Sequence, residues 1–185
     1  MGASHLPGGQ SPFRRELGAS VPAELGSVLA FYRSELTKRG WKETAEHAVV
    51  KTDQVQLAFT SPEGPAVLKL GRQNGETTIN LAQRNPAAAK ADVMPKPGLA
   101  KLMFGNMGGG EVAVTINKQM IKIAAGAGGP QSPKGPTLDL PPGKYQYSLK
   151  IAGGPARSNQ IEIAADETWG LMIAPNGEVL PVQMY

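Results

Sequence analysis

The residues whose types and spacing could move a proton or hold a metal are few: two histidines, His5 and His47, and, among fifteen carboxylates, the adjacent Asp166 and Glu167. A metal site would need both histidines, or one of them with several carboxylates, and no Asp/Glu/His cluster at ligand spacing surrounds either. His5 falls in the lead segment and His47 in a turn beside Glu46, so both read as solvated. Glycoside hydrolysis needs two carboxylates converging on one bond. Neighbours on a strand face opposite ways, so Asp166 and Glu167 converge only where the chain bends. They read as a turn ahead of Trp169. A fragment of a carboxylate-dependent hydrolase, contributing part of its site, is the enzymatic alternative. With no Gly-x-Ser-x-Gly elbow and two poorly placed histidines, nucleophile triads find no support.

Gly126-Ala127-Gly128 begins like a dinucleotide fingerprint, but Gln131 stands where the third glycine belongs and no helix follows. The stretch 126–136 reads instead as a long Gly/Pro-rich loop, either flexible or binding. Its backbone amides, at Gly128 and Gly129 among others, and the ammonium of Lys134 are the candidate contacts. Trp169 reads as a core residue or a partner contact, and with the loop it would make a shallow site for a small ligand or glycan. Aromatic residues make up 5% of the chain, too few for a platform that stacks bases. No cofactor is implied.

Composition narrows the classes further. The chain has 185 residues, 41% of them apolar and 18% charged, with Gly 23 and Pro 16, a profile of turn-rich β structure. The net charge of +4 divides evenly, with ten basic and eight acidic residues in 1–84 and nine and seven in 85–185. No basic tail or stripe forms, which argues against nucleic acid and for a mixed solvated surface. Arg14, Arg15, Arg33, Lys38 and Arg39 read as ordinary surface charge, with Glu35 paired to Arg39 across one helical turn. Cysteine is absent, so disulfides and thiolate chemistry are excluded. No run approaches the ~20 apolar residues that span a bilayer. The first residues have neither a charged nor an apolar signal region, and the abrupt start reads as that of a fragment.

The elements that must position these residues fall into two groups. Residues 1–11 read as a disordered lead and 12–84 as an α+β domain. Leu25, Val28, Leu29, Tyr32 and Leu36 form the stripe of one long helix, about Pro22 to Arg39, closed by Gly40 with Trp41 folding back. The helix lies on an antiparallel meander. Its strands are a short one at 48–50, others at 54–59, 66–70 and 77–81, and an edge strand near Phe13–Leu17. Asn74-Gly75 predicts a type I′ hairpin. Residues 85–98 read as a Pro/Ala linker. From 99 to 185 the apolar period is two, predicting strands at about 99–104, 111–116, 119–124, 137–140, 144–151, 159–165, 168–174 and 179–184. That many short strands between turns predict an all-β immunoglobulin-like or transthyretin-like sandwich.

Val112-Ala113-Val114-Thr115-Ile116-Asn117-Lys118, followed by Leu140-Pro141-Pro142-Gly143-Lys144-Tyr145 opening a strand, resembles the PEGA family of small β-sandwich modules in bacterial envelope proteins. The resemblance spans somewhat under half the chain. The insertion at 126–136 and the hairpin ending at Tyr185 depart from a minimal unit. The first half, with Phe31-Tyr32 and Gly40-Trp41, is similar to small α+β domains of uncharacterised bacterial proteins. These resemblances imply a non-catalytic interaction or structural module, periplasmic or at the cell surface, that binds a protein partner or envelope component. A small ligand or glycan is the alternative occupant, and a cytoplasmic location the alternative compartment.

Overall fold

The computed structural model describes residues 11–89, 91–129, 132 and 134–185, leaving out the side chains of residues 46 and 47. His5 and the start of the lead therefore lie outside the described residues. Among the described residues the protein is mostly β, with one short helix and several sheets. Contacts divide the chain after Ala89 into two compact units.

The first unit comprises β1 (Arg14–Val21), α1 (Leu25–Lys38), β2 (Lys42–Val50), β3 (Gln54–Ser61), β4 (Gly64–Gln73) and β5 (Glu76–Arg84). The five strands form one antiparallel sheet in the order β1-β5-β4-β3-β2. Alternation puts Val55, Leu57, Phe59, Ala66, Leu68, Leu70 and Ile79 on one face, where they bury Leu25, Val28, Leu29 and Leu36 of α1.

The helix has 14 residues and starts at Leu25, later than the Pro22 expected. The cause lies in the preceding loop, where the Ala23 carbonyl accepts hydrogen bonds from Thr77 Oγ1 (2.6 Å) and Arg72 Nη1 (2.7 Å). Thr77 is fully buried. At the other end Gly40 takes φ +78°, and the amides of Gly40 and Trp41 donate to the Thr37 and Leu36 carbonyls, a Schellman closure. Asn74 and Gly75 both have positive φ in the β4–β5 hairpin, as the type I′ turn requires.

Strand β2 is far longer than the three residues expected, and His47 lies within it instead of in a turn. Its polar first half pairs with β3 through Lys42, Glu43 and Thr44, and the register shifts before Val49. A charged, bulged edge strand carries little apolar alternation to read. Glu35 pairs with Lys38 at 2.7 Å instead of the Arg39 expected, which acts on it only at longer range.

The second unit comprises β6 (Ala100–Asn106), β7 (Val112–Ile116), β8 (Gln119–Ile123), β9 (Thr137–Leu140), β10 (Gly143–Ile151), β11 (Arg157–Ile163), β12 (Thr168–Ile173) and β13 (Val179–Gln183). Two four-stranded sheets form, β11-β10-β7-β8 and β13-β12-β6-β9. Leu102, Phe104, Val114, Ile116, Ile123, Leu149, Leu171 and Ile173, at most 2% exposed, fill one continuous core. Every pair is antiparallel except β6 with β12, which run parallel from Lys101↔Thr168 to Asn106↔Ile173. The stretch before β6 packs on its own unit. Val93 is buried, its carbonyl accepts the hydroxyl of fully buried Thr168 at 2.7 Å, and Lys101 Nζ donates to the carbonyls of Asp92 and Met94.

Candidate functional site

Register fixes which loops share an end of the second unit. Val112 pairs with both Ile123 and Ile151, while Asn106 pairs with Ile173. The loops 107–111, 152–156 and 174–178, and the chain that follows β8 from 124, therefore leave the two sheets on the same side. Contacts tie them together: Arg157 Nη1 donates to the Asn176 carbonyl at 3.1 Å. A Cβ on Gly177 would stand 2.7 Å from Ile151 Cδ1, and one on Gly128 3.0 Å from Gly105 Cα.

Asn106 is the hub of this end. It is 1% exposed, and its carboxamide nitrogen donates to the carbonyls of Gly110 (2.8 Å), Ala124 (3.2 Å) and Ile123 (3.3 Å). Its Oδ1 accepts the Gly108 amide at 2.9 Å, and its own amide donates to the Ala127 carbonyl at 2.8 Å. One buried side chain thus holds two glycine-rich loops against one strand end, leaving no polar atom of its own unpaired. An asparagine closing the apolar run Leu102–Gly105 is the signal that sequence reasoning passed over.

The 124–136 loop is built differently from the expectation of free amides. Gly128 donates to the Ser132 carbonyl (2.7 Å), Gly129 to Gly126 (3.1 Å) and Ser132 to Gly129 (3.2 Å), and Ala127 is buried in the core. Glycine is needed here because Gly126 and Gly128 sit at φ +72° and +77°. The amides of Gly128 and Gly129 are thus spent inside the loop. Lys134 is exposed. What the loop offers outward is side chains and glycine surface, with Met107, 49% exposed, on the neighbouring loop.

Trp169 is not part of that end. It shares the inward face of β12 with Leu171 and Ile173, packs on the core, and donates its indole N–H to Glu167 Oε2 at 2.8 Å. The same oxygen accepts the Ala164 amide at 3.0 Å, while Asp166 Oδ1 accepts the Gly98 amide at 2.8 Å. Asp166 adopts φ +60° in the turn. Each carboxylate thus has its own structural partner, and the two do not converge. Tyr145 donates its hydroxyl to the Pro141 carbonyl at 2.8 Å. Burial raises the pKa of Tyr147, which lies on the core side.

Elsewhere the surface is quiet. Two arginines of the first unit are matched: Arg33 holds Glu43 by two bonds at 2.8 and 2.9 Å, and Arg15 reaches Glu63 at 3.0 Å. Exposed pairs of this kind hold little energy and leave little net field. An open hollow of about 400 Å³ lies on the sheet of the first unit, lined by Asp53, Gln54, Lys69, Thr78 and Asn80 among others. Among the described residues no three His, Asp or Glu side chains come together to hold a metal. No helix among them is long and apolar enough to cross a membrane. No protein-family model matches the chain, and no curated protein matches its sequence.

Proposed function

We propose that the chain is a non-catalytic interaction module of a bacterial envelope or periplasmic protein, with the loop-bearing end of its second unit as the contact surface. In this reading the first unit is an α+β domain and the second a PEGA-like, immunoglobulin- or transthyretin-like sandwich. The partner is a protein or envelope component met by Lys134, Gly128, Gly129 and Met107. Trp169 supports the site only from inside, as a core residue. The observation that carries the reading is the Asn106 hub, which fixes two glycine-rich loops on a rigid two-sheet scaffold. Loops ordered on a rigid frame, with their own backbone bonds internally satisfied, suit recognition at little entropic cost. The Tyr145–Pro141 hydrogen bond closes the Leu-Pro-Pro-Gly-Lys-Tyr turn at the start of β10.

The test is capture from solubilised bacterial envelopes by the wild-type chain and by a Met107→Asp/Lys134→Glu variant. A protein retained by the wild type and lost by the variant supports the reading. Identical lanes overturn it.

A second reading, binding of a small ligand or glycan, is favoured by the hollow on the first unit, where amide, hydroxyl and ammonium groups line about 400 Å³. A thermal-shift screen over sugars decides it, because a ligand of the native state raises Tm. A flat response across the library removes this reading.

A further inference from the structure

Strand β1 ends one side of the sheet of the first unit. It pairs with β5, and among the described residues no strand lies on its other side. Its register with β5 is unbroken over eight residues, whereas the opposite edge, β2, carries the register shift that ordinarily protects an edge. The Phe13 carbonyl accepts the Asn85 amide at 2.8 Å, which continues the ladder past Arg14↔Arg84 with a hydrogen-bonded pair. Such pairs alternate along an antiparallel ladder, so Arg15, Leu17 and Ala19 aim their main-chain groups at β5. Glu16, Gly18 and Ser20 aim theirs outward.

Leu17 and Ala19 face the helix side, since Leu81 and Ile79 opposite them pack on that core. Leu17 is nevertheless 49% exposed. Phe31 of α1 is 59% exposed and stands edge-on to Tyr32, the ring centroids 5.5 Å apart. Arg33 holds Glu43 of β2, so Phe31, about 200° away round the helix, lies on the flank toward β1. Two uncovered apolar side chains thus border an uncovered strand edge.

The edge is complementary to itself. Arg14-Arg15-Glu16 are long and charged, Gly18-Ala19-Ser20 are small and neutral, and Leu17 stands between them. An antiparallel second copy centred on Leu17 sets Arg14 opposite Ser20, Arg15 opposite Ala19, Glu16 opposite Gly18 and Leu17 opposite its own counterpart. A Cβ at Gly18 would meet nothing within 4 Å, which leaves room for the facing glutamate. A centre on Arg15 or Glu16 would set like charges against each other, and one on Gly18 would part the leucines. The Leu17 centre also matches the outward main-chain groups of Glu16 with those of Gly18. Leu17 is left as the non-hydrogen-bonded pair, where side chains come closest.

We propose that β1 is a self-association edge that joins two copies of this chain, antiparallel about Leu17, into one continuous sheet. The strand and its flank fall short of the roughly 20–30 residues a side of a standard interface, so the association is weak and follows concentration.

Sedimentation of the full chain is the test. The wild type should shift toward dimer as its concentration rises toward about 1 mM. Leu17→Lys and Leu17→Glu each set like charges opposite and should stay monomeric alone, while an equimolar mixture of the two restores the dimer. The chain has no cysteine, so mild oxidation of a Leu17→Cys variant reports this contact alone. Facing Cα atoms in such a pair stand about 4.5 Å apart, within disulfide reach, so a linked dimer is expected. Ser34→Cys, at an exposed position of α1, should not give one. A wild type monomeric throughout, a mixture no better than either charged variant, or equal cross-linking of the two cysteine variants would overturn the proposal. Should the charged variants fold poorly, sedimentation of the wild type and the cysteine comparison still decide.

Discussion

Asn106 and Gly110 are joined by a 2.8 Å hydrogen bond from the carboxamide nitrogen to the carbonyl, which closes the β6–β7 loop on itself. The same group holds the Ala124 carbonyl, so the bond also ties this loop to the next. Asn106 itself is 1% exposed, so its carboxamide has little access to water in place of these partners. Asn106→Leu is expected to cost roughly 1–3 kcal/mol, because it takes the donor from three carbonyls, the Ile123 one buried, and the acceptor from the Gly108 amide. Urea unfolding measures the loss. Hydrogen exchange should speed up in 107–111 and 124–129 while the centre of β10 stays protected. An unchanged midpoint would show that the hub carries no load.

The hold on the helix start is separable from helix propensity. Thr77→Val keeps the shape of a fully buried side chain but removes the donor to the Ala23 carbonyl. Arg72 remains on that carbonyl at 2.7 Å, so the loss should be modest, roughly 1 kcal/mol. Adding Arg72→Met should cost more than the sum of the two single changes, since only the pair leaves the carbonyl bare. Strict additivity in a double-mutant cycle would refute the shared role.

Glycines of the loop end divide into two kinds. A Cβ at Gly135 would lie 1.8 Å from the Phe104 carbonyl oxygen, backbone against backbone, whereas at Gly109 it meets nothing within 4 Å. Gly135→Ala should destabilise by roughly 1–3 kcal/mol through overpacking. Gly109→Ala should stay within about 0.5 kcal/mol of wild type. Chemical denaturation of the two variants side by side checks the contrast. Equal midpoints would contradict the close approach.

Burial raises the pKa of Tyr32 and Tyr147 above the ordinary 10.0. For an acid whose folded-state pKa is raised, the associated stability is complete below the unfolded value and is lost as pH climbs through the folded one. Alkaline unfolding should therefore set in above about pH 10. Tyr147→Phe should remove one late phenol ionisation from an absorbance titration. If the late phase keeps its amplitude in that variant, Tyr147 is not its source.

Elements with strong local signals were legible in the chain. The Leu25–Leu36 stripe, the Gly40-Trp41 closure, the Asn74-Gly75 turn and the Tyr145–Ile151 alternation each settle their own conformation within a few residues. The polar half of β2 was hidden because a charged, bulged edge strand has no apolar period. The parallel pairing of β6 with β12 was hidden because alternation tells which face is buried, not which strand lies alongside. At the loop end, glycine and proline marked the 126–136 segment. The internal bonding of its amides and the anchoring by Asn106 depend on residues brought together from separate strands, which spacing along the chain does not encode.

The pairing of β6 with β12 also bears on how this unit is made. Strand β6 ends at Asn106 and its parallel neighbour begins at Thr168, so roughly 60 residues separate them. At about 5–20 residues per second on the ribosome, Leu102 and Phe104 emerge on the order of 3–12 s before β12 exists to complete their sheet. During that interval the edge of β6 that takes β12 has no strand beside it, while the other edge can already pair with β9.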